Sequence, residues 1–453
     1  MTGRESSVFT ERVKQACGAP GIPFVFLGNF EVEQYWARGA VGLPRVSSAS
    51  GLAVVNRMDE FALLLAGETD HVVLKARPDP GYLDYLRGLG ISLARVHVPE
   101  TQDPARTVTE DALADPRLLA ELGALDARLA PHGVSTVEEQ LAAATGLALA
   151  APDARICEAV NSKVYSRRLT DRLGIAAPRG WAVSTLGELD AAVAEAGALL
   201  EQGQRVVVKE ALGVSGKGIA VVDSVRRLDR LHRMITRSAQ RAGTERIGFV
   251  IEEWLDKSRD LNYQFTVRPD GRARLDFVKE AITEAGVHKG HRMPARLSAE
   301  QTETVRASAD SLAKALAEDG YTGVAGVDAI LCGQRLYPVL EINARNNMST
   351  YQVRLQELFL GPEQVGIARH YRVRPTEPVP FDRIAALLGE LLYEPERGTG
   401  LLLNNFATVN AAAGDGAFEG RLYGLLIAED EQAAEAIDAE VQARITKELV
   451  TSS

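Results

Sequence analysis

Cysteine is scarce in this chain of 453 residues. Cys17, Cys157 and Cys332 are far apart, and none belongs to a CxxC pair. A disulfide framework or a cysteine zinc site needs closely spaced cysteines. The sequence therefore argues against both and indicates a reducing compartment.

An excess of basic charge and long apolar runs are also missing. The chain has 51 basic and 61 acidic residues, a net charge of −10, which argues against a nucleic-acid or anionic-membrane partner. No apolar run reaches the roughly 18 residues of a membrane span, and the polar start MTGRESSVFTERVKQ lacks an apolar signal core. We expect a cytoplasmic protein that acts on small molecules or peptides.

What is present is the composition of a globular protein, with 46% hydrophobic and 25% charged residues. The chain is too long for one core, so we expect several units. An N-terminal α/β domain over 1–152 has predicted strands in GIPFVFLGN, LAVVNRM and HVVLKA, and its end, 115–151, has helical spacing. A central domain over 153–373 is rich in antiparallel strands. A small C-terminal α+β extension over 374–453 ends in an acidic helix.

The central domain begins with NSKVYSRRLTDRLG, a predicted helix capped by Asn161 or Ser162 and ended by Gly174. Next, RVVVKEALGVSGKGIAVV predicts two strands around a glycine-rich loop after Lys209. Such a loop brings backbone amides close to a phosphate. Its candidate phosphate-binding residues are Gly213, Ser215, Gly216, Lys217 and Gly218. The loop does not match the P-loop pattern, and the alternative is a simple tight turn.

A second constellation is VAGVDAILCGQRLYPVLEINARNN, a predicted hairpin whose turn is Gly333-Gln334. Strand side chains alternate between faces, so three polar residues of its second strand share one face: Glu341, Asn343 and Arg345. A two-residue turn places Asp328 opposite Val339, on that same face. Asp328 is then diagonal to Glu341, at roughly 7 to 8 Å.

These side chains suit a magnesium site. The carboxylates of Asp328 and Glu341 and the amide oxygen of Asn343 are oxygen ligands, which Mg²⁺ prefers. Arg345 beside them can hold a carboxylate or an acyl phosphate, or stabilise developing negative charge. The alternative is a polar face that meets only water.

Between these segments, FVIEEWLDKSRDLNYQF runs from an apolar strand into a short acidic linker. Apolar walls with a few polar edges can hold adenine. The candidate adenine-binding residues are Glu252, Glu253, Trp254 and Leu255, and Asp260 can accept hydrogen bonds from ribose. The alternative is that Trp254 packs in the core beside a solvated acidic turn.

The segment VKEAITEAGVHKGHRMPARL adds His288, Lys289, His291 and Arg292 around glycines. We predict a mobile basic loop that closes over phosphates and a carboxylate and excludes water. His288 and Arg292 are then candidates for contact with the reacting groups. The alternative is an exposed polar loop.

Taken in order, NSK with Lys163, VVVKEALGVSGKGI, FVIEEWL, GVDAIL and LEINAR resemble the ATP-grasp superfamily, over roughly Asp153 to Tyr371. The resemblance implies two α+β subdomains that grip ATP, preceded by a pre-ATP-grasp domain. It also implies that Lys163 and Lys209 contact phosphates, and that Asp260 binds ribose. Asp328, Glu341 and Asn343 would bind Mg²⁺, with Mn²⁺ as an alternative.

The ExNxR form that ends in Arg345 is similar to carboxylases and ligases of the superfamily that place an arginine at the reacting carboxyl phosphate. D-alanyl-D-alanine ligases have an arginine where this chain has Gly326, which argues against that branch. The whole layout resembles the peptide ligases related to that of pheganomycin biosynthesis. This implies an ATP-dependent ligase that joins an unusual amino acid to the N-terminus of a peptide through an acyl phosphate, and a homodimer is compatible with it. A small-molecule kinase and a non-catalytic nucleotide-binding protein remain alternatives.

Overall fold

The computed structural model describes residues 8–43, 49–213, 218–284 and 287–450, with side chains for all of these except 49–50, 283–284 and 287–289. Three sheets organise the chain. No helix among the described residues has the length and apolar character to cross a bilayer.

The N-terminal unit is built on a parallel five-stranded sheet. Its strands are β1 (Phe24–Leu27), β2 (His71–Val73), β3 (Arg95–His97), β4 (Arg128–Pro131) and β5 (Ala148–Leu149). Its helices are α1 (Val8–Ala16), α2 (Val32–Trp36), α3 (Ala49–Asn56), α4 (Pro80–Gly88), α5 (Val108–Leu113), α6 (Pro116–Gly123) and α7 (Thr136–Thr145), with a 3-10 helix at Arg57–Leu64. The strand order β3-β2-β1-β4-β5 reverses between β1 and β4. Such a reversal leaves a crevice beyond the carboxyl ends of the two strands.

Two sequence expectations for this unit were wrong. LAVVNRM is not a strand, because it belongs to α3 and to the start of the following 3-10 helix. A short apolar run does not distinguish a strand from a buried helix. The segment 115–151 is not wholly helical either, since it contains β4, a strand that pairs with β1. Its four residues RLAP have little β-propensity, and it is the pairing with β1 that holds them extended.

The second sheet is antiparallel. It has β6 (Gly180–Thr185), β7 (Val206–Glu210), β8 (Ile219–Val222) and β9 (Arg246–Glu253) in the order β6-β9-β7-β8, accompanied by α8 (Ala154–Val160), α9 (Lys163–Arg172), α10 (Leu186–Glu201) and α11 (Val225–Arg241). Its core joins residues of these strands to α10 and α11. The predicted limits of α9 are confirmed, because the Ser162 side chain accepts from Val164 N and Gly174 has a φ of 65°.

The third sheet has eight strands in the order β14-β13-β10-β11-β12-β15-β17-β16. They are β10 (Arg259–Val267), β11 (Ala273–Glu284), β12 (Val287–Met293), β13 (Gly323–Cys332), β14 (Arg335–Asn343), β15 (Val365–Val373), β16 (Gly400–Asn405) and β17 (Gly420–Ala428). Its helices are α12 (Ala299–Glu318), α13 (Val353–Phe359), α14 (Phe381–Leu388) and α15 (Glu431–Leu449), with 3-10 turns at Thr350–Gln352, Gly389–Leu391 and Ala407–Val409. The strands of the C-terminal extension, β16 and β17, continue the sheet of the central segment.

The two faces of the large sheet differ at strand β10, where one side is apolar and the other is polar. Leu261, Tyr263 and Phe265 of β10 pack into a core that includes α12. The alternate residues Asn262 and Gln264 therefore point to the opposite side of the sheet. That polar side carries the candidate site.

Candidate active site

A row of polar side chains crosses the large sheet on the face away from α12. Glu341 of β14 pairs with Asp328 of β13, which pairs with Asn262 of β10. Asn262 in turn pairs with Lys279 of β11. Directly paired residues point to the same side of a sheet, so the four side chains share one face. Asp328 Oδ1 accepts from Asn262 Nδ2 at 2.9 Å, and its Oδ2 accepts from Asn343 Nδ2 at 3.3 Å.

The predicted diagonal arrangement of Asp328 and Glu341 was wrong, although the turn at 333–334 has its two residues. The ladder shifts inside the hairpin, where three residues of β14, 338–340, face the single Ala329. Pro338 has no N–H to give to the ladder, which favours such a bulge. A shift of two residues preserves the face to which side chains point. The two carboxylates therefore keep their predicted face and become direct neighbours.

The pair fits a divalent cation. Burial and the negative charge of Glu341 raise the pKa of Asp328 to about 6. A cation between two neighbouring carboxylates offsets their repulsion and favours the ionised form of both. Asn262 Oδ1 is buried without a hydrogen-bond partner, and carboxylate and amide oxygens are ligands that Mg²⁺ accepts. The described residues hold no group of three or more His, Cys, Asp and Glu side chains arranged for a metal, so an amide oxygen is needed to complete the set.

Lys163, at the start of α9, is buried beside this pair. Its Nζ donates to Glu341 Oε1 at 2.6 Å and to Gly213 O at 3.1 Å. The helix is attached to β14, because Ser166 Oγ accepts from Ile342 N at 3.0 Å. The lysine that the resemblance implied as a phosphate ligand thus lies between the glycine-rich loop and a predicted metal ligand.

Arg345 follows β14 and is bound on several sides. Its Nη2 donates to Asn343 Oδ1 at 3.0 Å and forms an ion pair with Glu33 of α2. Its Nη1 donates to Asn346 O at 3.0 Å, whereas its Nε is buried without a partner. Burial lowers the pKa of Arg345 to about 10, so the guanidinium is charged at neutral pH.

A small enclosed cavity lies at the junction of the three sheets. Its walls are Glu33, Trp36, Asn161, Leu212, Gly213, Glu341 and Asn343. A wide surface groove also has Trp36 and Leu212 in its wall, together with Arg38, Glu139 and Asp153. The predicted metal face is therefore next to an enclosed space and near an open one.

The predicted adenine and ribose residues lie at the end of β9, in the linker that follows it and at the start of β10. Lys209 forms an ion pair with buried Glu252 on the neighbouring strand. Glu253 accepts from Gln204 Nε2 at 3.3 Å, and Asp260 accepts from Lys257 Nζ at 2.6 Å. Trp254 and Leu255 are half-buried, and the four apolar clusters of the described chain contain neither of them. The alternative that Trp254 is a core residue is therefore wrong.

The glycine-rich loop joins β7 to β8, which pair antiparallel as predicted. Gly218 has a φ of 78°, a left-handed backbone conformation that favours glycine. Gly213 supplies the carbonyl that Lys163 contacts. The candidates Ser215, Gly216 and Lys217 lie outside the described residues.

The expectation of a mobile basic loop was wrong for residues 287–293, which form β12 and pair with β11 and β15. Arg292 Nη2 donates to Glu280 Oε2 at 2.7 Å. Glu280 pairs with Leu261, which packs toward α12, so Arg292 lies on the face opposite Asp328. Gly290 looked like a loop residue, but a Cβ there would lie 1.8 Å from a carbonyl oxygen of β15. The side chains of His288 and Lys289 lie outside the described residues.

Sequence reasoning missed Glu33, Asn262 and Lys279. Polar alternation in LNYQFTV indicates that Asn262 and Gln264 share a face, but their alignment with Asp328 depends on the pairing of β10 with β13. Glu33 could have been found from its position after a predicted strand of an α/β domain, because ligands bind beyond the carboxyl ends of such strands. Nothing in the sequence indicated that Lys279 is buried on this face, because lysines are seldom fully buried.

Two family models match the chain. Residues 58–147 match the Pre ATP-grasp domain and residues 167–349 match an ATP-grasp domain. The ligase of Niallia circulans that joins L-glutamate to the butirosin acyl-carrier protein is 27% identical over 314 residues, which are 68% of this chain and 68% of the relative.

Solved structures share the fold. The biotin carboxylase of Campylobacter jejuni in complex with β-γ-ATP has a TM-score of 0.53 at 16% identity, covering 88% of this chain and 90% of that chain. The N5-carboxyaminoimidazole synthetase of Staphylococcus aureus complexed with ADP has a TM-score of 0.53 at 12% identity, covering 93% of this chain and 97% of that chain. At such identities the likeness concerns the fold alone.

Proposed function

The chain belongs to the ATP-grasp superfamily, and on this premise we propose that it is an ATP-dependent ligase that joins a carboxylate to an amine through an acyl phosphate. The single observation that carries the proposal is the face on which Asp328 and Glu341 are direct neighbours, with Lys163 and Arg345 in hydrogen-bond contact with that face. Two anionic and two cationic groups around a cavity suit the transfer of a phosphoryl group between anions.

In this proposal Asp328, Glu341 and Asn343 hold Mg²⁺, which would neutralise charge on the ATP phosphates. Lys163 and Lys209 contact the phosphates, and the strand end at Glu252 borders the adenine. Each lysine is paired with a glutamate in the structure, so each side chain is held in place before ATP arrives. Positioning and charge neutralisation supply most of the catalysis in phosphoryl transfer.

The proposed reaction has two steps. A carboxylate oxygen of the donor attacks the γ-phosphorus of ATP, so that an acyl phosphate forms and ADP leaves. A neutral amine then attacks the acyl carbon, the amide forms, phosphate leaves and the amine loses a proton. Arg345 binds the donor carboxylate and offsets the oxyanion of the second step.

For the acceptor we propose the α-amine of a peptide in a peptide natural-product pathway. An α-amine has a reference pKa near 8, so a larger fraction is neutral at pH 7 than for a lysine side chain. The relative from Niallia circulans joins L-glutamate to an acyl-carrier protein, so an acyl-carrier protein is the competing acceptor. The wide groove beside Trp36 offers the acceptor a route to the cavity.

The test is an ADP-release screen over amino-acid donors with peptide acceptors, read by mass for a new amide. Hydroxylamine in place of the acceptor should give a hydroxamate, which only an activated acyl group yields. Glu341→Ala should abolish both signals, and unchanged turnover in this variant would refute the metal assignment. A stable phosphorylated product without a hydroxamate would instead identify a kinase.

A further inference from the structure

We propose that Glu33 binds the α-ammonium group of an amino-acid donor whose carboxylate is held by Arg345. This inference rests on the proposed function and names the residue that recognises the α-ammonium group of its donor. The zwitterionic amino acid would then bind between Glu33 and Arg345, with its ammonium group on Glu33 and its carboxylate on Arg345.

The pair is buried and joins two units of the chain. The side chain of Glu33 is 9% exposed and that of Arg345 is 12% exposed. Glu33 belongs to α2 of the N-terminal unit, whereas Arg345 follows β14 of the large sheet. A ligand held between the two would therefore be gripped from both sides, next to the predicted metal ligands Glu341 and Asn343.

The position of Glu33 in the parallel sheet is a second, independent indication. The strand order reverses between β1 and β4, and ligands of open α/β sheets bind beyond the carboxyl ends of strands at such a point. Glu33 lies in the segment that follows β1. The segment that follows β4 packs against this one, because Asn29 Nδ2 donates to Gly133 O at 2.8 Å. Glu33 also lines the small cavity at the junction of the three sheets.

The remaining bonding capacity of the pair suits a ligand with two charges. Arg345 Nε is buried without a partner, so a carboxylate that approaches the guanidinium finds a donor not already in use. Of the two carboxylates in the cavity wall, Glu341 is paired with Lys163. When the carboxylate of a ligand replaces Glu33 on Arg345, the carboxylate of Glu33 is therefore free to bind the ammonium group of that ligand.

Charge balance then explains selectivity. An α-amino acid exchanges one ion pair for two, so that no buried charge is left alone. A carboxylic acid without the amine would displace Glu33 from Arg345 and leave a buried carboxylate unpaired, which is strongly unfavourable. We therefore expect a preference of about 100-fold for an amino acid over its des-amino analogue, which corresponds to roughly 2.7 kcal/mol.

Calorimetric titration of the full chain with Mg²⁺ and a non-hydrolysable ATP analogue tests this directly. The probes are matched pairs: L-alanine with propionate, L-glutamate with glutarate, and L-phenylalanine with 3-phenylpropionate. The wild-type protein should prefer at least one amino acid by about 100-fold. Glu33→Gln should reduce that preference to below about tenfold, and it should strengthen binding of the des-amino acid, because no charge is stranded in this variant. The loss of preference is the discriminating result, because freeing Arg345 from a purely structural ion pair would strengthen binding of both acids of a pair alike.

The matched control is Glu357→Gln. Glu357 also joins the N-terminal unit to the rest of the chain, since its Oε1 lies 3.8 Å from Arg12 Nη1 and its Oε2 accepts from Phe9 N at 3.3 Å, but it lines neither the cavity nor the groove at the site. This variant should keep the preference of the wild type. A wild-type protein that binds no amino acid more tightly than its partner acid, or a Glu33→Gln protein that keeps the preference, overturns the inference. Retained preference without hydroxamate formation would overturn the proposed ligase reaction and leave the ammonium site standing.

Discussion

Lys163 Nζ lies 2.6 Å from Glu341 Oε1, which joins the start of a helix to a strand of the large sheet inside the candidate site. The same ammonium group donates to Gly213 O at 3.1 Å, at the end of the glycine-rich loop. One cation therefore connects the loop proposed to hold phosphates with a carboxylate proposed to hold the metal.

Replacing this lysine should impair the use of ATP. Lys163→Met keeps the apolar stem and removes the ammonium group proposed to contact a phosphate, and one hydrogen bond to a charged group is worth roughly 1.5–3 kcal/mol. We expect kcat/KM for ATP, measured as initial rates of ADP release, to fall by about 10- to 100-fold, since each 1.4 kcal/mol is a factor of ten. Lys314→Met, at an exposed position of α12, is the control and should keep the wild-type rate. Equal rates in the two variants would contradict the role of Lys163.

Gly326 should not accept a side chain. A Cβ at this position would lie 2.3 Å from Asn347 Nδ2, in a row of the sheet where Gly326 pairs with Asn343. Gly326→Ala should lower the free energy of unfolding by about 1–3 kcal/mol, because the packed neighbours must shift. It should also lower the rate of ADP release, since Asn343 is a predicted metal ligand.

A second glycine provides the control of opposite sign. Gly197 lies inside α10, and a Cβ there would meet nothing within 4 Å. Gly197→Ala should raise the free energy of unfolding by roughly 0.5–1 kcal/mol, because alanine favours a helix interior. Chemical denaturation of both variants measures the two changes in the free energy of unfolding. A stabilised Gly326→Ala protein would show that the close approach to Asn347 does not destabilise the fold.

His132 predicts how stability depends on pH. Burial lowers its pKa to about 3, and its ring stacks on Tyr351, with Nδ1 2.8 Å from the Tyr351 hydroxyl. The native state leaves the imidazole unprotonated where the unfolded chain binds a proton, so stability is complete above about pH 6.5 and is lost as pH falls. Between pH 6 and pH 4 this group should cost about 1.4 kcal/mol per pH unit.

The measurement is the free energy of unfolding of wild type and His132→Phe from pH 7 to pH 4. Phenylalanine keeps a ring between Phe30 and Tyr351 but cannot titrate. The difference between the two proteins should shrink steadily as the pH falls below 6.5, because only the wild type loses this contribution. Parallel pH profiles would mean that His132 is not the titrating group.

Lys279 predicts a pH dependence of the same direction, in the range up to the ordinary pKa of a lysine. Its side chain is fully buried, and its Nζ donates to Ser349 O and Gln352 Oε1, each at 3.2 Å. No carboxylate pairs with it within the described chain, and burial lowers its pKa well below the ordinary value. Between the native and unfolded pKa values the unfolded chain holds more protons, so stability rises with pH in that range.

Lys279→Met should therefore raise the unfolding temperature at pH 7, and the gain should shrink at pH 9.5, where the unfolded chain competes less for the proton. Activity should fall in the same variant, because Lys279 holds the 3-10 turn Thr350–Gln352 that follows Arg345. Thermal melts at the two pH values and ADP-release rates would check both parts. A destabilised variant at pH 7 would show that the two hydrogen bonds outweigh the desolvation of the charge.

Much of the central segment could be predicted from local pattern. The cap at Ser162, the two-residue turn at 333–334 and the strands on either side of the glycine-rich loop each depend on a few neighbouring residues. The superfamily was also predicted correctly, because several motifs occur in a definite order. The family models that match 58–147 and 167–349 confirm it.

The errors arose where packing decides between local alternatives. LAVVNRM has β-branched residues but lies in a helix, and RLAP has few yet forms a strand beside β1. The segment after Gly286 contains glycine and charge, which are typical of loops, but pairing with two strands extends it across the sheet. Neither hydrophobic periodicity nor composition contains the identity of the neighbouring strand.

The sequence by itself determined which residues are candidates for binding phosphate and metal, because carboxylates, lysines and glycines at strand spacing have a chemistry that does not depend on the rest of the chain. Tertiary structure alone decided that Asp328 is the direct neighbour of Glu341, since the bulge beside Pro338 shifts the ladder by two residues. It also decided that Glu33, more than 300 positions away in the chain, binds Arg345. Such contacts follow from how the sheets pack, and packing depends on all of the buried surfaces together rather than on any local pattern.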